Sequence, residues 1–172
     1  MDIITLTMAF VALCISGASF WNAKKSYNLS MEQAAQKKPK LSLYLSDNFY
    51  QDLETERLFI YSFTISNPAD IDNSIANCEL KITFKRSDGS LGNFLVQHEK
   101  NLFNKIPFAD MNAMDVPVAI DAHSSYAAAT IFSVDLSVLG NIPIEKYEII
   151  FLDSHGLKST ETVFIMKEIA HE

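Results

Sequence analysis

The hydrophobic pattern of the chain changes at Trp21. Residues 3–21 read IITLTMAFVALCISGASFW and contain no charged residue and no proline. A helix rises about 1.5 Å per residue, so this segment crosses most of a hydrocarbon core about 30 Å thick. A helix of a soluble protein would show a polar face, whereas this segment is apolar all round. The pattern therefore predicts a transmembrane helix over residues 1–21.

Residues 22–40 predict a helical tether. They contain no glycine, their first proline is Pro39, and residues such as Ala34 and Ala35 favour a helix. We expect the first helix to continue to about Lys37 and to end at Lys38, because a residue that precedes proline leaves the helical region.

From residue 41 onward the period changes to two, which is typical of β-strands. In the clearest case Cys78, Leu80 and Ile82 alternate with charged residues and threonine. A polar turn is expected after residue 45, and Asn73 is expected in an exposed turn. The predicted strands span residues 41–45, 57–66, 78–84, 94–97, 116–120, 126–134, 147–151 and 160–166. Seven or eight short strands without a helical period predict a mainly β, antiparallel β-sandwich over residues 41–172.

The tether and the domain carry net charges of opposite sign. The chain has a formal net charge of −7, with 14 Lys and Arg against 21 Asp and Glu. Residues 21–40 hold five Lys against Glu32, a net of +4, whereas residues 41–172 hold nine basic and nineteen acidic residues, a net of −10. A basic collar suits anionic lipid headgroups, at about 1 kcal/mol per Lys near the surface. So acidic a domain would repel nucleic acid. We therefore expect a lipid bilayer as a partner, and we do not expect nucleic acid.

The flanks of the apolar segment predict an anchor rather than a cleaved signal peptide. No Lys or Arg precedes the segment, and the small residues around Trp21 make a poor cleavage site. Trp21 is expected at the membrane interface, and Lys24 and Lys25 are expected on the cytoplasmic side with the later lysines. We therefore expect a single-pass protein of the inner membrane whose C-terminal domain lies in the cytoplasm.

Several stretches carry a resemblance to a known arrangement. They are AKKSYNLSMEQ and KPKLSLYL in the tether and first strand, and FTISNPADIDNSIANCELKITF, DVPVAIDAHSSYAAATIFSV and YEIIFLDSHGLKSTETVFI in the domain. Together they resemble uncharacterised bacterial single-pass membrane-anchored immunoglobulin-like β-sandwich proteins. The resemblance implies an immunoglobulin-like sandwich after one membrane helix, and it implies no settled activity. The Cys…Trp…Cys pattern of antibody domains is absent, since Trp21 is the only tryptophan.

The sequence shows no pattern that predicts catalysis. Asp70 and Asp72 resemble the start of a calcium loop, but the glycine needed at its sixth position is missing. The four histidines lack metal-ligand spacing, and Ser124, Asp153 and His155 lack a nucleophile-elbow sequence. Only five glycines occur, and none forms a phosphate-binding loop. We therefore expect no enzyme, no cofactor and no metal.

The two cysteines do not predict a disulfide. Cys14 lies in the predicted membrane helix, whereas Cys78 lies on the apolar face of a strand, where it is expected to act as a small buried hydrophobe. Ala12 and Ser16 form a small-xxx-small pair, which permits close helix approach and a homo-oligomer through the membrane helix.

Two functions are consistent with these features. The first is a membrane-tethered protein-binding or scaffold module, a non-catalytic subunit of a bacterial membrane-associated assembly. The second is an extracytoplasmic sensor or envelope domain. Residues 98–114 are irregular and rich in apolar residues, and they are expected either to bind an unknown protein partner or to cover the open end of the core. The candidate contact residues are Phe103, Ile106, Phe108, Met111 and Met114.

Overall fold

A computed structural model describes residues 3–36, 40–106, 111–140 and 142–169. The chain divides into two compact units, residues 1–38 and residues 39–172. Among the described residues, no helix meets the length and hydropathy expected of a segment that crosses a bilayer.

The first unit is one helix, α1, which spans Ile3–Gln36. Its side chains are described at residues 13 and 15–31, and every one of them is exposed. Strong helix formers fill its second half, and Ser30 Oγ donates back to the Ser26 carbonyl at 2.9 Å. The prediction of one continuous helix through the tether is therefore confirmed as far as Gln36. Its expected end at Lys38 and Pro39 lies outside the described residues.

The second unit is mainly β, as predicted. Its described residues form nine strands, in chain order: β1 (Ser42–Asp52), β2 (Glu56–Ser66), β3 (Asn73–Lys85), β4 (Leu91–Gln97), β5 (Val118–Ile120), β6 (Ser125–Asp135), β7 (Ile144–Asp153), β8 (Lys158–Val163) and β9 (Lys167–Glu168). One sheet has the order β6-β2-β1-β9, and the other has the order β4-β3-β7-β8 with β5 paired to β3. All pairs are antiparallel except β1 with β9, which is parallel and which the sequence pattern did not predict.

The main core lies between the two sheets. Alternate residues of β2 point inward because side chains alternate across a strand, and they meet the inward side chains of β7. The ring centroids of Phe63 and Phe151 lie 5.1 Å apart, and those of Phe59 and Tyr147 lie 5.3 Å apart. Cys78 is fully buried in this core. The predicted apolar face of β3, with Cys78, Leu80 and Ile82, is therefore confirmed.

A bulge in β1 turns Phe49 toward a second core that the pattern did not predict. A polar turn was expected after residue 45, but β1 continues to Asp52. Its pairing with β2 skips one residue between Leu45 and Asp47. The extra residue inverts the alternation. Leu45 packs on the main core, whereas Phe49 faces the opposite side of the sheet. There Phe49 joins a smaller cluster on the outer face, with Leu58, Ile60 and Ile131.

Two local features also differ from the sequence prediction. Asn73 is buried rather than exposed, because β3 begins at this residue and its amide donates to Asp153 Oδ2 at 3.1 Å. A one-turn helix, α2 (Leu136–Leu139), follows β6, and Asp135 caps it by accepting from the Ser137 N–H at 2.7 Å.

Candidate interaction surface

The segment between β4 and β5 packs on the outer face of the first sheet. Its 3-10 helix spans Lys100–Lys105, and Leu102 and Ile106 are buried in the outer cluster. Their partners are the outward side chains of β1, β2 and β6. Apolar side chains on the outer face of a sheet would otherwise be left in water, so the segment contributes to stability by covering them.

The five predicted contact residues do not form one open surface. Ile106 and Met114 are buried, and Phe103 and Met111 are half-buried against the outer cluster. Phe108 lies outside the described residues. Covering the core was the alternative expectation for this segment: Leu102 and Ile106 cover the outer side of the first sheet, and Met114 is buried in the main core.

His98 and two lysines hold this segment in place. His98 Nδ1 lies 3.0 Å from the Ile131 carbonyl oxygen and 3.1 Å from the Ile131 nitrogen, and Nε2 lies 3.0 Å from the Met114 carbonyl oxygen. Lys105 pairs with Glu56 at 2.5 Å, and Lys100 pairs with Asp115 at 2.6 Å.

The contacts of Glu56 change the pKa of its carboxyl group. The Lys105 ammonium and the Ser133 hydroxyl both donate to its carboxylate, and they lower the pKa of Glu56 from its ordinary value. The described parts of this segment, residues 98–106 and 111–115, are therefore held to the domain at several separate points.

Two large and highly exposed apolar side chains of the described domain lie elsewhere, in the connection from β8 to β9. Phe164 is 70% exposed and Ile165 is 83% exposed. The next residue, Met166, packs on the main core, where its sulfur accepts from the Tyr61 hydroxyl at 3.3 Å. The connection is therefore anchored immediately after its two exposed side chains, which we call the 164–165 knob.

Strand β9 also anchors the chain that follows the knob. The Ile169 N–H donates to the Tyr50 carbonyl at 2.9 Å, and Lys167 pairs with Asp47 at 2.8 Å. The Lys167 ammonium also lowers the pKa of Asp47. Two adjacent large apolar side chains on an anchored connection are well suited to act as contact residues for another protein.

The sequence pattern predicted one strand over residues 160–166, and so this knob was not expected. The sequence did contain a usable signal. Val163, Phe164 and Ile165 are three consecutive large apolar residues, and a strand places alternate side chains on opposite faces. Only one face of β8 meets the core, so some of these residues had to remain outside it.

The predicted membrane-flank residues share one face of α1. Trp21, Lys24, Lys25 and Asn28 line the same shallow depression on the helix, as the spacing of three and four residues requires. Trp21 is exposed, and both lysines are exposed beside it. An aromatic ring beside two ammonium groups matches the composition of a membrane interface.

The loops that carried candidate chemistry have structural roles. His123 Nε2 lies 2.9 Å from Asp70 Oδ1, and Asp72 Oδ1 accepts from the Ala122 N–H at 2.9 Å. These contacts tie the β2–β3 connection to the loop before β6. In the described part of the chain, no group of three or more His, Cys, Asp or Glu side chains is arranged to hold a metal ion.

The Ser124, Asp153 and His155 combination does not form a hydrogen-bonded chain. The Ser124 hydroxyl donates to the Asp121 carbonyl at 2.8 Å. Asp153 Oδ1 accepts from the backbone N–H groups of His155 and Leu157, and so it closes the β7–β8 turn. Nucleophile activation requires the base to contact the nucleophile, and these contacts serve the backbone instead.

Comparison with known proteins does not place the chain in a family. No family model and no curated protein matches it. One similar solved structure is the alkylpurine DNA glycosylase AlkC of Pseudomonas fluorescens bound to DNA containing an abasic-site analogue, with 9% identity, 77% of this chain covered and a TM-score of 0.43. The chain spans 31% of the length of that glycosylase.

A second similar structure is a protein from Archaeoglobus fulgidus, with 7% identity, 76% of this chain and 98% of that chain covered, and a TM-score of 0.42. A β-glucuronidase from glycoside hydrolase family 2 has 11% identity, covers 74% of this chain and 11% of its own, and has a TM-score of 0.31. At these identities and TM-scores the similarities indicate neither a family nor an activity.

Proposed function

We propose that this protein is a membrane-tethered protein-binding module without catalytic activity. The observation that carries the proposal is α1, a 34-residue helix whose first half is uncharged in sequence and whose described side chains are all exposed. Exposed apolar side chains on a long helix need a non-aqueous environment or a partner. The basic residues after Trp21 are best explained by a bilayer.

The proposed domain is an immunoglobulin-like sandwich. Strands β1, β2 and β6 lie in one sheet, and β3, β7 and β8 lie in the other. This grouping corresponds to strands A, B and E against strands C, F and G of immunoglobulin domains. Domains with this architecture have many unrelated functions, so the fold does not itself assign a partner.

The binding role is supported by the 164–165 knob. Isolated exposed apolar residues are ordinary on protein surfaces, but this pair is adjacent and largely exposed, it follows the buried Val163, and it precedes the anchored Met166 and β9. We propose that it contacts a protein of the same membrane assembly.

The knob predicts site-specific cross-linking in cells. A photo-reactive phenylalanine analogue at Ile165 should give one dominant adduct, because a partner would bury this side chain. The same analogue at Thr162, an exposed position on neighbouring β8, serves as the control and should give no adduct. Adduct mass on a denaturing gel provides the measurement. Equal adducts at both positions, or none at Ile165, would contradict the proposed contact.

We propose that the domain lies on the cytoplasmic side, and a thiol-labelling assay tests this. Ser87 is exposed in the turn after β3, so Ser87→Cys is the reporter, with Cys14→Ala and Cys78→Ala in the background. A membrane-impermeant reagent should label the reporter only in opened cells. Adding Lys24→Glu and Lys25→Glu should increase labelling in intact spheroplasts, because these lysines are the nearest orienting charges. Labelling of intact spheroplasts without those changes would favour an extracytoplasmic sensor or envelope domain.

A further inference from the structure

Strand β4 is an edge strand that lacks the usual protection against pairing. It ends the second sheet, and its sequence, LGNFLVQ, contains no charge and no proline. Natural edge strands commonly carry lysine, proline or a bulge, because exposed backbone groups otherwise accept another strand. The opposite edge of the same sheet, β8, carries Lys158 and Glu161.

The free backbone groups of β4 can be assigned from its neighbours. The Arg86 N–H donates to the Ser90 carbonyl at 2.8 Å, and the His98 N–H donates to the Cys78 carbonyl at 3.1 Å. Hydrogen-bonded pairs alternate along an antiparallel ladder. Even-numbered residues of β4 therefore bond to β3, and the N–H and C=O groups of Leu91, Asn93 and Leu95 point away from the sheet.

The two most exposed large apolar side chains of β4 are both leucines. Leu91 is 61% exposed and Leu95 is 56% exposed, and both belong to the outward face of β4. A strand that adds to this edge would bury both leucines beside new backbone hydrogen bonds.

We propose that β4 pairs antiparallel with β4 of a second copy of this chain, about a two-fold axis at Phe94. This register joins odd-numbered residues to odd-numbered residues, as the free backbone groups require. Asn93 then lies opposite Leu95 of the second copy, and Leu91 lies opposite Gln97 of the second copy. The two sheets become one continuous sheet across the interface.

Charge favours a second copy as the occupant. Lys85 and Arg86 lie at one end of the β3–β4 edge, where Asp88 in the turn leaves a net charge of +1, and Glu79 and Glu99 lie at the other, where Lys100 leaves a net charge of −1. Antiparallel pairing places the basic end of each copy beside the acidic end of the other, and no like charges face each other within the uncharged strands.

The size of the interface sets its strength. A seven-residue strand buries less than the roughly 1,000 Å² of a stable interface, so the dimer is weak and depends on concentration. This pairing does not use α1, and therefore it does not depend on the proposed membrane anchor.

Sedimentation of the full chain in detergent micelles, over a range of concentrations, tests the pairing. The unchanged chain should form dimers as concentration rises. Leu95→Lys or Asn93→Lys should each weaken dimerisation about tenfold, which corresponds to about 1.4 kcal/mol. The matched control Thr160→Lys places the same charge on the outward face of β8 and should leave dimerisation unchanged.

A charge pair tests the register. The double variant Asn93→Lys with Leu95→Lys should be monomeric, because each new lysine faces a lysine of the second copy. The double variant Asn93→Glu with Leu95→Lys should recover dimerisation, because opposite charges then face each other. A chain that stays monomeric at every concentration would overturn the proposal. Dimers that persist in all β4 variants would also overturn it, and they would assign self-association to another surface such as α1.

Discussion

Replacing Cys78 with aspartate is expected to abolish cooperative folding of the β domain. Cys78 is fully buried in the main core, next to Leu80 on β3 and opposite Phe151 on β7. Burial also raises the pKa of its thiol, so the site disfavours a negative charge. An ionised carboxylate without a partner costs several kcal/mol in such a place, a large fraction of the 5–15 kcal/mol typical of a whole domain.

Thermal unfolding followed by near-UV circular dichroism measures this effect. Cys78→Asp should show no cooperative transition, whereas the control Cys78→Ala should lose only about 1 kcal/mol because it removes one small group. A soluble Cys78→Asp protein with a sharp transition would mean that the assigned inward face of β3 is wrong.

Replacing Asn67 should produce the second largest loss of stability. Asn67 is 1% exposed, and its Nδ2 donates to the Ile71 carbonyl at 2.8 Å and the Ile120 carbonyl at 3.1 Å. Its Oδ1 accepts from the Ala69 N–H at 3.2 Å. One side chain therefore joins the β2–β3 connection to the end of β5. Each buried polar group left without a partner costs about 1–3 kcal/mol.

Two substitutions separate the donor from the acceptor role of Asn67. Asn67→Ala should cost about 3 kcal/mol, because the Ile120 carbonyl and the buried Ala69 N–H both lose this partner. Asn67→Asp should cost more, since its oxygen would face those carbonyls. Chemical denaturation gives both values. Asn112→Ala is the control, because Asn112 is exposed and donates only to the Ala127 carbonyl. A loss at Asn67 no larger than at Asn112 would contradict this structural role.

The inner faces of the strands could be predicted from sequence because they follow a strict period of two. Phe59, Tyr61 and Phe63 alternate without interruption, and all three are buried in the main core. Cys78 and Leu80 follow the same rule. In these strands a residue's parity alone fixes its face.

The outer cluster could not be predicted in this way. A single extra residue near Ser46 inverts the faces of β1, and nothing in the local composition marks it. Leu58 and Ile60 are buried on the face of β2 that the alternation assigned to solvent, because a distant segment covers them. Burial on that face depends on where residues 98–106 pack, which a short-range pattern does not contain.

The predicted contact residues also differ from the exposed ones because burial depends on long-range packing. Met114 and Ile106 look like contact residues in an irregular segment, but Ile106 is buried in the outer cluster and Met114 is buried in the main core. Ile165 looked like part of a strand, but the chain leaves β8 after Val163 and crosses to the other sheet. Exposure of an apolar residue therefore depended on tertiary packing and not on the apolar pattern.

Extraction of membranes with alkaline carbonate tests the proposed anchor most directly. The full chain should remain in the membrane pellet. Leu13→Arg, near the centre of the uncharged segment, should move the protein into the supernatant, because a charge there costs about 2.5–3.5 kcal/mol on insertion. Leu29→Arg, on the same helix beyond that segment, should stay in the pellet. Release of the unchanged chain by carbonate, or equal release of both variants, would contradict anchoring through α1.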